Sequence, residues 1–151
     1  YYPNTPNFRN KAIPGAILRY NIVVKNEGNI STNGNSMELI QTLSRDARLY
    51  VNNLSANGST GEATGGPIIF TDSSANNTSG LSYNFISLNS TNDSLSFSNN
   101  SGTDYNYIPT ADSDGFDTNI THIKLVLSGN MKPKYNFGTP NFTIEYQVKV
   151  K

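Results

Sequence analysis

Cysteine and tryptophan are absent from the 151 residues, and histidine occurs once. Without cysteine there is no disulfide framework, no thiol nucleophile and no cysteine-rich zinc site. Charge is also scarce, at 15% of residues, and 11 basic side chains balance 11 acidic ones to a formal net charge of zero. A sparse, balanced charge lacks the basic footprint that draws a protein to phosphates, so no nucleic-acid partner is expected. No apolar run approaches the roughly 18 residues of a membrane-spanning helix. The carboxylates are too scattered to nominate a glycosidase pair, and no serine sits in a Gly-x-Ser-x-Gly elbow. The lone His122 falls on the strand face opposite Ile123, Leu125 and Leu127, where an exposed histidine is the default. With no convergent acid, base or nucleophile, the chain reads as non-enzymatic.

What the sequence has instead is Asn, Ser, Thr and Gly, together with nine tyrosines and seven phenylalanines. Uncharged polar residues mixed with aromatics suit exposed strand faces and turns, the composition of a β-rich extracellular protein. The apolar residues recur in order. Ala16, Leu18, Tyr20, Ile22 and Val24 alternate with polar neighbours, as do Phe142, Ile144, Tyr146, Val148 and Val150. Period two predicts strands with one face in a core and one in water, over 16–26 and 142–151. Weaker sets are Ile123, Leu125 and Leu127; Leu81, Tyr83 and Phe85; Leu95 and Phe97; Tyr105 and Tyr107; Leu49 and Val51; and the run Ile68 to Phe70. Met37 to Tyr50 reads either as a short helix or as two strands. Pairs such as Gly28-Asn29, Asn33-Gly34, Gly65-Gly66 and Ser128-Gly129 supply turns between them. The whole predicts an all-β fold, an antiparallel two-sheet sandwich of immunoglobulin-like or jelly-roll-like kind, occupying 11–151.

Residues 1–10 stand apart. YYPNTPNFRN carries two prolines and no alternation, so it is expected to be an extended N-terminal arm making few ladder bonds. Its apolar members Tyr1, Tyr2, Pro3 and Phe8 are the candidate assembly contacts. The chain begins at Tyr1 with no initiator Met, which fits a processed, secreted protein.

Pro14-Gly15 followed by Tyr20-x-Ile22-x-Val24-x-Asn26-x-Gly28-Asn29 resembles the opening of a repeat family of bacterial cell-surface proteins. Farther on, Tyr107, Pro109, Asp112-Ser113-Asp114-Gly115-Phe116-Asp117 and Ile120-Thr121-His122-Ile123 are similar to the second half of some members, as is Phe142 to Val148. The family is the immunoglobulin-like conserved repeat domain of unknown function, eleven type, and the likeness spans about residues 10 to 151. It implies an immunoglobulin-like sandwich in a cell-wall, adhesin or secreted protein, used there as tandem stalk modules. A single copy makes a long stalk only by polymerising.

Four candidate sites follow. Asp112, Asp114 and Asp117 put three carboxylates within six residues around Gly115, hard ligands for a calcium ion, or else an Asp-rich turn capping its own backbone. The spacing does not match an EF-hand. Asn-x-Ser/Thr acceptor sequences for glycans occur at Asn29, Asn53, Asn57, Asn76, Asn77, Asn89, Asn92, Asn99, Asn119 and Asn141. Tyr83, Tyr105 and Tyr107 form either a stacking platform for a sugar or part of the core. Lys25 stands in an early strand as an isopeptide donor, but 142–151 offers no Asn to receive it.

The leading expectation is a self-assembling subunit of an extracellular filament or pilus-like fibre, its partners being copies of itself, in which the arm adds as a strand to a neighbour. The alternatives are a monomeric stalk or adhesin module of a larger surface protein, and a carbohydrate-binding module.

Overall fold

The computed structural model describes residues 13–57 and 65–151. Among them the ordered elements are strands and two single 3-10 turns, with no α-helix. In chain order the strands are β1 (Ile17–Lys25), β2 (Met37–Thr42), β3 (Ala47–Tyr50), β4 (Ile69–Asp72), β5 (Leu81–Ser82), β6 (Leu95–Ser98), β7 (Phe116–Asp117), β8 (His122–Gly129) and β9 (Asn141–Val150). They form two antiparallel sheets, not closed into a barrel, as the alternation predicts.

Each sheet is organised by one long strand. In the first, β9 carries β1 on one side and both β3 and β4 on the other, with β7 beyond β3. In the second, β8 carries β2 on one side, with β6 and β5 end to end on the other. Period-two alternation turns Phe142, Ile144, Tyr146 and Val148 of β9 toward Ile123, Leu125 and Leu127 of β8 across a common core. Leu49, Ile123, Leu127 and Phe142 are wholly buried. Each such side chain stabilises the fold by about 1.5–3 kcal/mol.

The ambiguous stretch Met37 to Tyr50 is two strands. β2 pairs with β8 from Met37↔Leu127 to Thr42↔His122, and β3 pairs with β9, so sheet bonds replace those of a helix. Two expected strands are shorter than their patterns. Tyr105–Tyr107 contributes one bridge, Phe97 to Tyr107, and the set Leu81–Phe85 is a strand only at Leu81–Ser82. Past Ser82 the backbone finds side chains instead: Asn84 N–H donates to Ser94 Oγ at 3.1 Å, and Ile86 N–H to Asp93 Oδ2 at 3.0 Å. Asn, Asp and Ser compete for the ladder in this way throughout the loops.

Candidate functional site

The register Leu18↔Val148, Tyr20↔Tyr146, Ile22↔Ile144 and Val24↔Phe142 turns these four β1 side chains inward, as expected. Burial does not follow all along the strand. Leu18 is 36% exposed and Tyr20 44%, whereas their β9 partners Val148 and Tyr146 are buried. The sheet opposite explains it. Among the described residues β1 pairs only with β9 and β2 only with β8, so both are edge strands, and they border the same opening. Among the described residues, nothing beyond β2 covers the start of β1.

The opening is an apolar seam. One cleft of about 80 Å³ lies between Ile22 of β1 and Leu39, Ile40 and Gln41 of β2, floored by Ile123 and Ile144. A second, of about 70 Å³, lies between Tyr20 and the stretch Gln41–Ser44, and the two share Gln41 and Tyr146. On the outer faces of the same edges, Val23 and Ile40 are each 53% exposed. Tyr20 stacks on Tyr146, and burial, with Tyr20 close by, pushes the Tyr146 hydroxyl up to about 12.

The chain enters β1 through a shaped turn. Ala16 N–H donates to the Ile13 carbonyl at 2.9 Å across Pro14-Gly15, and Gly15 has φ +85°. Proline second and a left-handed glycine third are the requirements of a type II turn. Gly15 N–H also donates to the Val150 carbonyl while Val150 N–H donates to that of Ala16, so two residues face one in a glycine bulge. The candidate assembly residues Tyr1, Tyr2, Pro3 and Phe8 precede this turn and lie outside the described residues.

The acidic segment is a capped turn. Asp112 Oδ1 accepts from the N–H groups of Asp114 and Phe116, both at 2.9 Å, and its Oδ2 faces Arg48 at 2.7 Å. The Phe116 bond above all, with the Asp114 bond and the Arg48 and Lys149 charges, holds the Asp112 carboxyl below the usual carboxylate range. Asp114 pairs with Lys149 at 2.8 Å. Asp117 is 2% exposed; its Oδ2 accepts from the Tyr107 hydroxyl at 2.9 Å and Thr110 N–H at 2.7 Å, and its Oδ1 from Asn119 N–H at 2.7 Å. The three carboxylates thus face separate donors. Among the described residues no acidic or histidine cluster is arranged to hold a metal ion.

Nor do the three tyrosines make one exposed platform. Tyr83 is buried against Phe70, Tyr107 is half-buried with its hydroxyl on Asp117, and the Tyr105 ring carries Lys124 Nζ at 4.4 Å. Of the glycan acceptor residues, Asn29, Asn53, Asn76, Asn77, Asn89, Asn92, Asn99 and Asn119 are exposed and Asn141 is half-buried, while the Asn57 side chain lies outside the described set. None of the ten falls within β1 or β2. The last strand begins one residue earlier than its alternation, at Asn141, which pairs with Lys25. That corrects the expectation of no Asn there. Lys25 is exposed and Asn141 Nδ2 donates to the Thr139 carbonyl, so the pair sits on the outer face.

The seam was not singled out in the sequence. Its signal was the mixed stretch Met37-Glu38-Leu39-Ile40-Gln41, apolar on both faces of a strand at Leu39 and Ile40. Comparisons with family models, with curated proteins and with solved structures found no match to this chain.

Proposed function

We propose that this chain is a non-catalytic extracellular structural protein, a self-assembling subunit of a surface filament or pilus-like fibre. Its arm, Tyr1 to Asn10, leaves its own body and adds as a strand to a neighbouring copy. The observation that carries this reading is that, among the described residues, β1 and β2 each pair on one side only and border one apolar seam. Edge strands with exposed Leu18, Tyr20, Val23 and Ile40 are a template for another strand, and folded proteins ordinarily blunt or cover such edges. The composition and the resemblance to surface-protein repeats support an extracellular setting. A head-to-tail contact between different surfaces does not close on itself, so it yields a fibre.

The test is deletion of residues 1–10 followed by size-exclusion chromatography and negative-stain microscopy. Soluble monomers are expected from the shortened chain and polymers from the full one. Filaments of ordinary length from the shortened chain overturn the reading.

A further inference from the structure

We propose that the seam is the acceptor for residues 7–12 of a second copy, paired antiparallel with the free edge of β2 and placing Phe8 in the cleft. This rests on the filament reading and specifies its contact. Among the described residues, Tyr20 and Ile22 of β1 face β2 only across the two clefts, and Leu18 and Tyr20 stay part exposed on their inward side. One further strand joined to β2 roofs them and completes the sandwich.

The arm's own chemistry selects the segment. Pro3 and Pro6 lack N–H groups and stand three residues apart, so in a strand they point to opposite edges and cannot both avoid a ladder. Asn7 to Ala12 is free of proline and six residues long, the length of β2. Glu38 is the one charged residue of β2. The antiparallel register that sets Lys11 opposite Glu38 sets Arg9 opposite Ile40, both on the outer face. The same register sets Phe8 opposite Gln41, whose side chain lines both clefts. An aromatic anchor in an apolar cleft with opposite charges at its rim is the usual division of labour in strand addition.

The donor is a second copy because of strand direction. Tyr20 lies by Gln41–Ser44 and Ile22 by Leu39–Gln41, so β1 runs opposite to β2. A chain's own segment, reversed by the Ile13–Ala16 turn into β1, would run parallel to β2. Every pairing between the named strands is antiparallel, the ladder that is more stable per residue.

The chain lacks cysteine, which permits a clean cross-linking test. A tagged preparation carrying Asn7→Cys is mixed with an untagged one carrying Thr42→Cys, and likewise Lys11→Cys with Glu38→Cys. Mixed disulfide dimers from both pairs are expected. A chain carrying Asn7→Cys and Glu38→Cys together that closes within itself shows the segment filling its own seam, and overturns the inference. Filaments without either mixed dimer leave the filament reading standing and remove this acceptor. Loss of assembly on deletion of residues 1–10 is required by both, so intact filaments there remove both. Phe8→Ala is expected to raise the concentration needed for assembly about tenfold or more, and Phe8→Leu less; no change in either overturns the anchor.

Discussion

Tyr20 on β1 and Tyr146 on β9 lie face to face, ring centroids 5.1 Å apart and planes within 9°. They are a directly opposed cross-strand pair, one half exposed at the seam and one in the core. Such a pair adds about 0.5–1.5 kcal/mol beyond the area it buries. Tyr20→Ala is therefore expected to cost about 1–2 kcal/mol in urea unfolding, and Tyr20→Phe much less.

The same stack makes the fold sensitive to alkali. The Tyr146 hydroxyl titrates at 10.0 when unperturbed and is pushed up to about 12 in the fold, because burial disfavours its phenolate. A raised folded-state value means the contribution is fully present below pH 10 and is lost as pH rises toward 12. Stability measured from pH 9 to 12 should decline, and Tyr146→Phe should flatten that limb.

Asp112 acts at the other end of the scale. Its carboxyl is held below its ordinary value of 3.8, first by the Phe116 N–H bond, so its contribution is present above that pH and lost as pH falls through the folded-state value. Asp112→Ala should destabilise the protein at pH 7, and the difference should shrink as pH falls below 3.8, as read by thermal unfolding.

Asp117 holds three donors while almost wholly buried. Asp117→Ala strands the Tyr107 hydroxyl and two N–H groups, for a cost of about 3 kcal/mol or more in denaturant unfolding. Asn keeps an acceptor on one side only and should fall between.

The Tyr83 hydroxyl is buried with no hydrogen-bond partner among the described residues, and burial raises its pKa. Leaving a polar group unsatisfied costs about 1–3 kcal/mol. Tyr83→Phe keeps the packing against Phe70 and should raise the urea midpoint; a lower midpoint would mean that the hydroxyl contributes to the fold.

The two long organising strands were legible because alternation over eight or more residues survives any neighbour. Ile123, Leu125 and Leu127, and Phe142, Ile144, Tyr146, Val148 and Val150, are buried as their pattern demands. Leu18 and Tyr20 carry the same pattern and point the same way, yet stay half open. Alternation fixes which face a side chain takes; what lies across from that face depends on the other sheet. The two-residue strand β7 leaves no periodic trace, and β5 is shorter than the Leu81, Tyr83 and Phe85 alternation that pointed to it. The acidic segment was readable only as a choice between ion and turn, because a carboxylate serves either, and the partners that decide it, Arg48 and Lys149, are distant in sequence. Tyr83 offered the same choice between platform and core, and its place just past β5, against Phe70, puts it in the core.

The bulge at Gly15 and Ala16 brings the beginning of β1 against Val150, at the finish of β9. Tension applied between those two ends would peel the β1–β9 ladder from one extremity, breaking its bonds in succession. A pull passed through a strand lying lengthwise beside β2 would load the residue pairs of that join together, in shear. In the linkage proposed above, the pull would enter a unit in shear at β2 and leave it through the start of β1, where the glycine turn is tied to Val150.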